Sequence, residues 1–311
     1  MDDIITRISA GSTEWIPILA QFTTKYLDSC GRSFTNYVSD RLIRATRQAD
    51  GIVMTRNGLL RGIIVMDYDG TAAEITVPWT MRTDDDTTAA IMAKYAIDEI
   101  LAAPREIRHI RAERQLVPGE SDGIGLKEAG FELYQRTRMT INLPGFSLSD
   151  DLVTDCTIKP WDITKLDTAA ELIYSANDNT LDKRLYPVFF GNSPSDCRHG
   201  ILSILAGKYG AIHPQASLCL YHEDVMAGVN LVVDEGNGVA SVVEISVSPH
   251  LQRRGYARTM MLKSLHILQD EGVESVDLAV TNENHRAYQM YLKLGFTEAA
   301  GFPVGIYEVA G

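Results

Sequence analysis

The stretch Ser246-Val247-Ser248-Pro249-His250-Leu251-Gln252-Arg253-Arg254-Gly255-Tyr256-Ala257-Arg258 decides how the chain is read. It leads from an apolar strand pattern over residues 239–247, through a loop closing on Gly255, into a long amphipathic pattern over 256–269. A helix start leaves several backbone N–H groups unpaired and carries a partial positive charge, which suits it to seat a phosphate or pyrophosphate. Gly255 has no Cβ to hold a ligand off the backbone, and Ala257 is nearly as small. Arg253, Arg254 and Arg258 add cationic side chains at the same corner. Alone, a Gly-x-Ala turn is weak evidence, because an ordinary strand-to-helix turn with a solvated basic patch reads the same way.

A second element follows the next strand pattern: Asn284-x-x-Ala287-x-x-x-Tyr291-x-x-x-Gly295-Phe296. Spacings of 3, 4 and 4 put Ala287, Tyr291 and Gly295 along one helical stripe, with Asn284, Tyr288 and Tyr291 nearly in line. A core-facing helix closed by Gly295 accounts for Leu294, Gly295 and Phe296. It requires neither Asn284 nor Tyr291.

Working outward, the chain shows one order of elements twice. The first half reads as a strand at 4–8, amphipathic stretches at 15–27 and 34–47, and strands at 52–55 and 59–66 around Arg56-Asn57-Gly58. Asp67-Tyr68-Asp69-Gly70 then turns into a strand at 73–77. A helix at 87–101, a strand at 107–111, a short helix ending in Gly130-Phe131 and a strand at 132–143 close it. The second half reads as a strand at 157–161, helical stretches near 165–176 and 196–208, and hairpin strands at 217–222, 226–233 and 239–247. A helix at 256–269, a strand at 275–280, a helix at 285–294 and a strand near 306–309 complete it. Pro144-Gly145-Phe146-Ser147-Leu148-Ser149-Asp150-Asp151 has linker composition. The expected class is α+β, with two tandem domains of one topology over residues 1–145 and 152–311. Each is a mixed, mostly antiparallel sheet flanked by helices.

Composition narrows the function classes. The formal net charge is −12, with 17 basic against 21 acidic side chains in residues 1–150 and 12 against 20 beyond. That balance disfavours nucleic-acid and anionic-membrane partners, which need basic patches, and mildly favours a cationic ligand such as an amine. No apolar run nears the ~18 residues of a membrane helix, and the N-terminus is acidic where a secretory signal would be basic. Cys30, Cys156, Cys197 and Cys219 are scattered, as expected of reduced thiols in a cytoplasm. The seven histidines show no ligand spacing, so no metal is expected.

The two linked motifs together resemble the GNAT superfamily of acyl-CoA-dependent N-acyltransferases. The likeness covers the strand, the Gln252-x-x-Gly255-x-Ala257 loop with its helix, and the segment from Asn284 to Phe296. It implies an N-acetyltransferase that moves the acetyl group of acetyl-CoA to a primary amine by direct attack on the thioester. The amine is a small metabolite, an antibiotic amine, or a peptide or protein amine. By the resemblance, the donor lies where the strands at 239–247 and 275–280 splay apart. Its pyrophosphate would sit on the backbone of Gln252, Arg253, Arg254, Gly255, Tyr256 and Ala257, beside Arg258. A backbone N–H near Val247 would polarise the thioester carbonyl, Tyr291 would protonate the departing thiolate, and Asn284 would bond to the cofactor. Glu244, three residues before Val247, is the candidate base that frees the amine of its proton, a water chain being the alternative. Strict alternation puts Glu244 and Val247 on opposite faces of the strand.

The first half lacks these residues. Aligning Pro78 with Pro249 puts Met81, Asp84 and Asp86 at the positions of Gln252, Gly255 and Ala257. Aligning Gly130-Phe131 with Gly295-Phe296 puts Leu126 and Gly119 at those of Tyr291 and Asn284. Asp84, Asp85 and Asp86 suit a helix start but repel a pyrophosphate. The expected arrangement is a degenerate, non-catalytic first domain and an acyl-CoA-binding second one, like tandem members of the family with one degenerate half. The likeness implies no particular substrate, and the oligomeric state stays open. A noncatalytic acyl-CoA-binding or regulatory module is the competing reading, against which Tyr291 speaks.

Overall fold

The computed structural model describes residues 3–30, 46–47, 49–69, 71–76, 79–80, 86–113, 123–147, 152–191 and 193–309. Gly70, Val77, Pro78, Met81, Asp84, Asp85, Gly119, linker residues 148–151 and most of the expected helix at 34–47 lie outside them.

The first half runs β1 (Asp3–Ile8), α1 (Trp15–Cys30), β2 (Asp50–Arg56), β3 (Leu59–Asp69), β4 (Ala72–Thr76), β5 (Trp79–Thr80), α2 (Asp86–Ala102), β6 (His109–Glu113), α3 (Ile124–Glu128) and β7 (Glu132–Asn142). The second runs β8 (Thr157–Pro160), α4 (Leu166–Ala176), α5 (Leu181–Leu185), α6 (Pro187–Phe190), α7 (Pro194–Leu205), β9 (Ala211–Ile212), β10 (Leu218–His222), β11 (Val225–Gly236) and β12 (Val239–Val247). It ends with α8 (Tyr256–Asp270), β13 (Ser275–Thr281), α9 (His285–Lys293) and β14 (Thr297–Glu308). The last strand is longer than the sequence suggests. Gly301 and Pro303 interrupt its alternation, which hides a strand that needs no regular pattern once it is paired.

Two compact units emerge, Met1–Gln135 with Phe302–Gly311, and Arg136–Gly301. They differ from the contiguous halves 1–145 and 152–311 in the terminal strands. Residues 136–142 of β7 pair with β13 of the second unit, and residues 304–308 of β14 pair with β6 of the first. Neither strand's sequence names its pairing partner, so the pattern alone does not assign them.

In the first unit β1, β2, β3 and β4 are antiparallel neighbours, and β4 runs parallel to β6. Alternation divides the core. Ile52, Met54, Ile64, Met66 and Ile75 pack with Met92, Ala93, Ala96 and Ile100 of α2. Val53, Ile63 and Val65 pack with Trp15 and Phe22 of α1.

In the second unit β8, β10, β11 and β12 are antiparallel neighbours, and β12 runs parallel to β13. Ala240 and Val242 of β12 share a cluster with Met261, Leu262 and Leu265 of α8. On the other face, Val229, Leu231 and Val233 of β11 pack with Leu172 and Ile173 of α4 and with Cys197, Ile201 and Ile204 of α7.

Candidate functional site

The site begins with a fault in a strand. Along β11 and β12 the register runs Leu231↔Glu244 and then Val232↔Val242, which leaves Val243 as a bulged residue. The parallel pairing of β12 with β13 ends at the same place, at Val242↔Leu278. A bulge bends its strand and raises the local twist. Residues 243–247 of β12 therefore run on beside β11 alone, while residues 279–281 of β13 stay paired with β7. Between them the sheet opens into a wedge, where the resemblance placed it.

The bulge also re-aims side chains. Unbroken alternation from Ala240 and Val242 would point Glu244 and Ser246 at α8. Instead Val247 packs with Tyr256 and Met260 of α8, and Ile245 lies on that side too. The Ser246 hydroxyl accepts from Asn177 Nδ2, just past α4 (3.2 Å), and donates to Glu244 Oε1 (2.5 Å). Asn177 is itself fixed by a bond to the Ile173 carbonyl (3.0 Å). Glu244 is 4% exposed, and burial pushes its carboxyl up to about 7; the Ser246 bond opposes that shift and the charge of Asp182 reinforces it.

The backbone at the wedge has a free direction. Ser248 N–H donates to Ala227 O of β11 (2.9 Å). In an antiparallel strand successive N–H groups point to opposite edges, so Val247 N–H points to the edge that β13 has left.

Beyond Val247 the chain makes a 3₁₀ turn over Pro249–Leu251 and reaches α8 through Arg253 at φ +66° and Gly255 at φ +90°. The Gln252 amide folds back onto the Val247 carbonyl (3.1 Å) and bridges strand to loop. Gly255 is required twice, by its positive φ and because a Cβ there would lie 2.9 Å from Val153 Cγ2. The N-cap residue Gly255 makes no side-chain cap bond and no acid stands in the first turn, so α8 begins at Tyr256 and Ala257 without a side-chain cap. Arg253 and Arg254 are exposed beside them. The Tyr256 side chain turns inward, 1% exposed, its hydroxyl donating to Asp155 Oδ2 (3.0 Å). Only its backbone faces the loop.

Tyr291 comes from α9. It is 6% exposed, packs edge-on against Phe296 (5.8 Å), and its hydroxyl has no hydrogen-bond partner among the described residues. Burial, then the charges of Glu244 and Asp182, hold this phenol well above its ordinary range, with Arg136 opposing. Asn284 is the N-cap of α9, accepting from Ala287 N (3.3 Å), and its Nδ2 donates to Asp182 Oδ2 (3.2 Å). Its occurrence is thus explained by a cap, which sequence spacing alone did not reveal.

Asp182 is the residue that sequence reasoning missed. It sits in α5, and its contacts to Thr281 and Asn284 span about a hundred residues, so no local signal marks it. Phe189 and Phe190 pack into the α4–α7 cluster. Cys197 is buried, bonds to the Phe190 carbonyl (3.0 Å) and is pushed up to about 12 by burial, which unfits it as a nucleophile. Among the described residues no three His, Cys, Asp or Glu side chains form a set able to hold a metal ion.

The first unit differs at each corresponding point. The pairing of β4 with β6 continues from Ala72↔His109 to Thr76↔Glu113, the last residue of β4, and β3 and β4 pair with no register shift. Arg111 of β6 pairs with Glu74 of β4 across that pair (2.5 Å) and with Glu113 on its own strand (2.6 Å). With Pro78 set against Pro249, Ala73 stands where Glu244 does, and Leu126, at the position of Tyr291, is buried in the core.

Residues 184–296 match the Acetyltransferase (GNAT) family. A 67-residue segment is 37% identical to mycothiol acetyltransferase of Tsukamurella paurometabola, covering 22% of this chain and 23% of that protein. A 62-residue segment is 42% identical to mycothiol acetyltransferase of Kytococcus sedentarius, covering 20% and 21%. Each match thus spans under a quarter of the curated relative's length. Among solved structures, a GCN5-related N-acetyltransferase from Sphaerobacter thermophilus shares the fold with TM-score 0.71 at 14% identity, over 99% of this chain and 96% of that one. A tandem GNAT protein from the clavulanic acid biosynthesis pathway does so with TM-score 0.61 at 14% identity, over 100% and 99%.

Proposed function

Because residues 184–296 belong to the acetyltransferase (GNAT) family, within a chain that has the fold of tandem GNAT proteins, we propose that this protein transfers an acetyl group from acetyl-CoA to a primary amine in its second unit. The observation that carries the proposal is the parting of β12 from β13 at Val243, beside an uncapped helix start. The residues present fit the donor: the N–H groups at the start of α8 suit a pyrophosphate, Gly255 lets the loop turn at positive φ beside Val153, and the wedge admits an extended chain. When bound, acetyl-CoA supplies an activated acetyl thioester.

This chain's residues would then act as follows. Val247 N–H donates to a carbonyl oxygen placed in the wedge and stabilises negative charge as it develops there. Glu244, poised near neutrality by burial, takes a proton from the ammonium, whose ordinary pKa is near ~10, directly or through water. Tyr291 stays a phenol across the working range and donates a hydrogen bond to sulfur as the thiolate leaves. The thiol, with an ordinary pKa near ~8.5, finally takes up the proton that the amine released. Asn284 serves the site by shaping the start of α9.

The first unit is proposed to be non-catalytic. Donor binding is confined to the second unit, the acceptor is a small-molecule or peptide amine, and the working place is the cytoplasm. No helix among the described residues is long and apolar enough to cross a membrane. The proposal is tested by CoA-thiol release with acetyl-CoA and an amine panel, comparing wild type with Glu244→Gln and Tyr291→Phe. Turnover that falls in both variants supports it. Tight acetyl-CoA binding with no turnover on any amine would leave a noncatalytic acyl-CoA-binding module instead.

A further inference from the structure

Asp182 belongs to none of the roles above, yet it occupies a joint of the second unit. It lies in α5, a helix of five residues whose start is capped by Thr180, which accepts from Lys183 N (3.2 Å). Its Oδ1 accepts from Thr281 Oγ1 at the end of β13 (2.5 Å), and its Oδ2 accepts from Asn284 Nδ2 at the start of α9 (3.2 Å). One carboxylate therefore ties α5 to the last residue of the strand that leaves the wedge and to the cap of the helix that carries Tyr291.

Resting on the proposed function, we propose that Asp182 is a positioning residue for acetyl transfer. It locks α5 and the Tyr291 helix onto the open end of β13 and presents a fixed negative charge to Glu244. The adjacent cation does not neutralise it: Lys183 is engaged by Asp178 (3.1 Å) and lies 4.3 Å over the Tyr174 ring. Ser246 bonds to Glu244 on its own strand, and charge couples Glu244 to Asp182 of α5, Cys197 of α7 and Tyr291 of α9. Arg136, stacked at 4.5 Å on the Tyr186 ring, acts on Tyr291 in the opposite sense. Burial keeps the Cys197 thiol and the Tyr291 phenol protonated at neutral pH, and the charge of Asp182 raises the Glu244 carboxyl. A like charge disfavours a second carboxylate, so removing it lets Glu244 ionise at lower pH.

The test needs no turnover. Glutamate carboxyl carbons are followed by 13C NMR titration of the full chain without ligand, with Glu244→Gln assigning the resonance. Asp182→Asn is expected to lower the Glu244 midpoint by roughly half a unit to one unit. The acidic limb of kcat/KM moves down with it. Asp182→Glu restores most of the midpoint, and Asp182→Ser removes the same charge should the Asn variant fail to fold. Thr281→Val cuts the tie but keeps the charge; it leaves the midpoint in place and raises KM for the amine severalfold. A midpoint unmoved in both Asp182→Asn and Asp182→Ser overturns the inference, as does an equal shift in Thr281→Val. A midpoint that moves in a protein that acetylates no amine overturns the proposed function while leaving the electrostatic placement of Asp182 standing.

Discussion

The two parallel strand pairs of this chain share a topology and differ in how they end. β4 is held to β6 from Ala72 to Thr76, with Arg111 fastened to Glu74 across the pair and to Glu113 on its own strand. β12 leaves β13 after Val242 and runs five residues further with one edge open. A single bulged residue, Val243, separates the two outcomes. It opens the wedge, turns Val247 N–H into it and swings Glu244 to the face of α4 and α7. In the first unit the equivalent stretch, residues 72–76, stays paired with β6 throughout. On the proposal that the first unit is non-catalytic, hydrogen bonds along one strand edge close a site there as well as the changed loop motif does.

That contrast can be broken or sharpened by substitution. The largest effect belongs to Glu244, which has Ala73 as its counterpart. Glu244→Gln should lower kcat by about 10²–10⁴-fold near neutral pH, measured as CoA-thiol release. In the wild type the rate should rise with pH through about 7, the value to which burial lifts this carboxyl. The same burial makes Glu244 a stability cost. Its folded pKa lies above the unfolded value of 4.5, so the folded state holds the extra proton between 4.5 and about 7, and stability falls as pH rises through that window. Glu244→Gln should thus stabilise the protein by on the order of 3 kcal/mol at pH 8 and by little below pH 4.5, measured by urea unfolding at both pH values.

Gly255 comes next. Valine there must adopt φ +90° and meet Val153, so Gly255→Val should raise KM for acetyl-CoA by about 30-fold or more, with the fold intact by circular dichroism. Tyr291→Phe should cost about tenfold in kcat and leave the acidic limb of the pH profile in place, because thiolate protonation has other donors. The smallest effect sharpens the comparison most. Asp84→Gly returns a glycine to the first half at the position of Gly255, yet turnover and acetyl-CoA stoichiometry should stay at wild-type values. A second equivalent of bound acetyl-CoA in that variant would show that the loop, rather than the paired strand, closes the first unit.

Much of this was legible before any coordinates. Gly255 ahead of an amphipathic run marked the start of α8, and the repeated order of elements marked two similar sheets. Tyr291 fell on a helix stripe together with Gly295. What escaped is non-local. Strict alternation from Val242 gives no hint of the bulge at Val243, because an inserted residue shows only in the partner strand's register. Asn284, which the resemblance implies bonds to the cofactor, also caps α9, a role that spacing does not show. Tyr256 sits in the phosphate loop by sequence, while its side chain is committed to Asp155. Asp182 acts across 99 and 102 residues of chain, and the pairing partners of β7 and β14 are equally non-local.

The most direct test of a single open strand pair is amide hydrogen exchange with and without acetyl-CoA, read peptide by peptide. Protection is expected over residues 243–258, at the open edge of β12 and the start of α8, with β4 and the start of α2 unchanged. Equal protection at 72–76 and 86–90, or none at 243–258, would contradict the account.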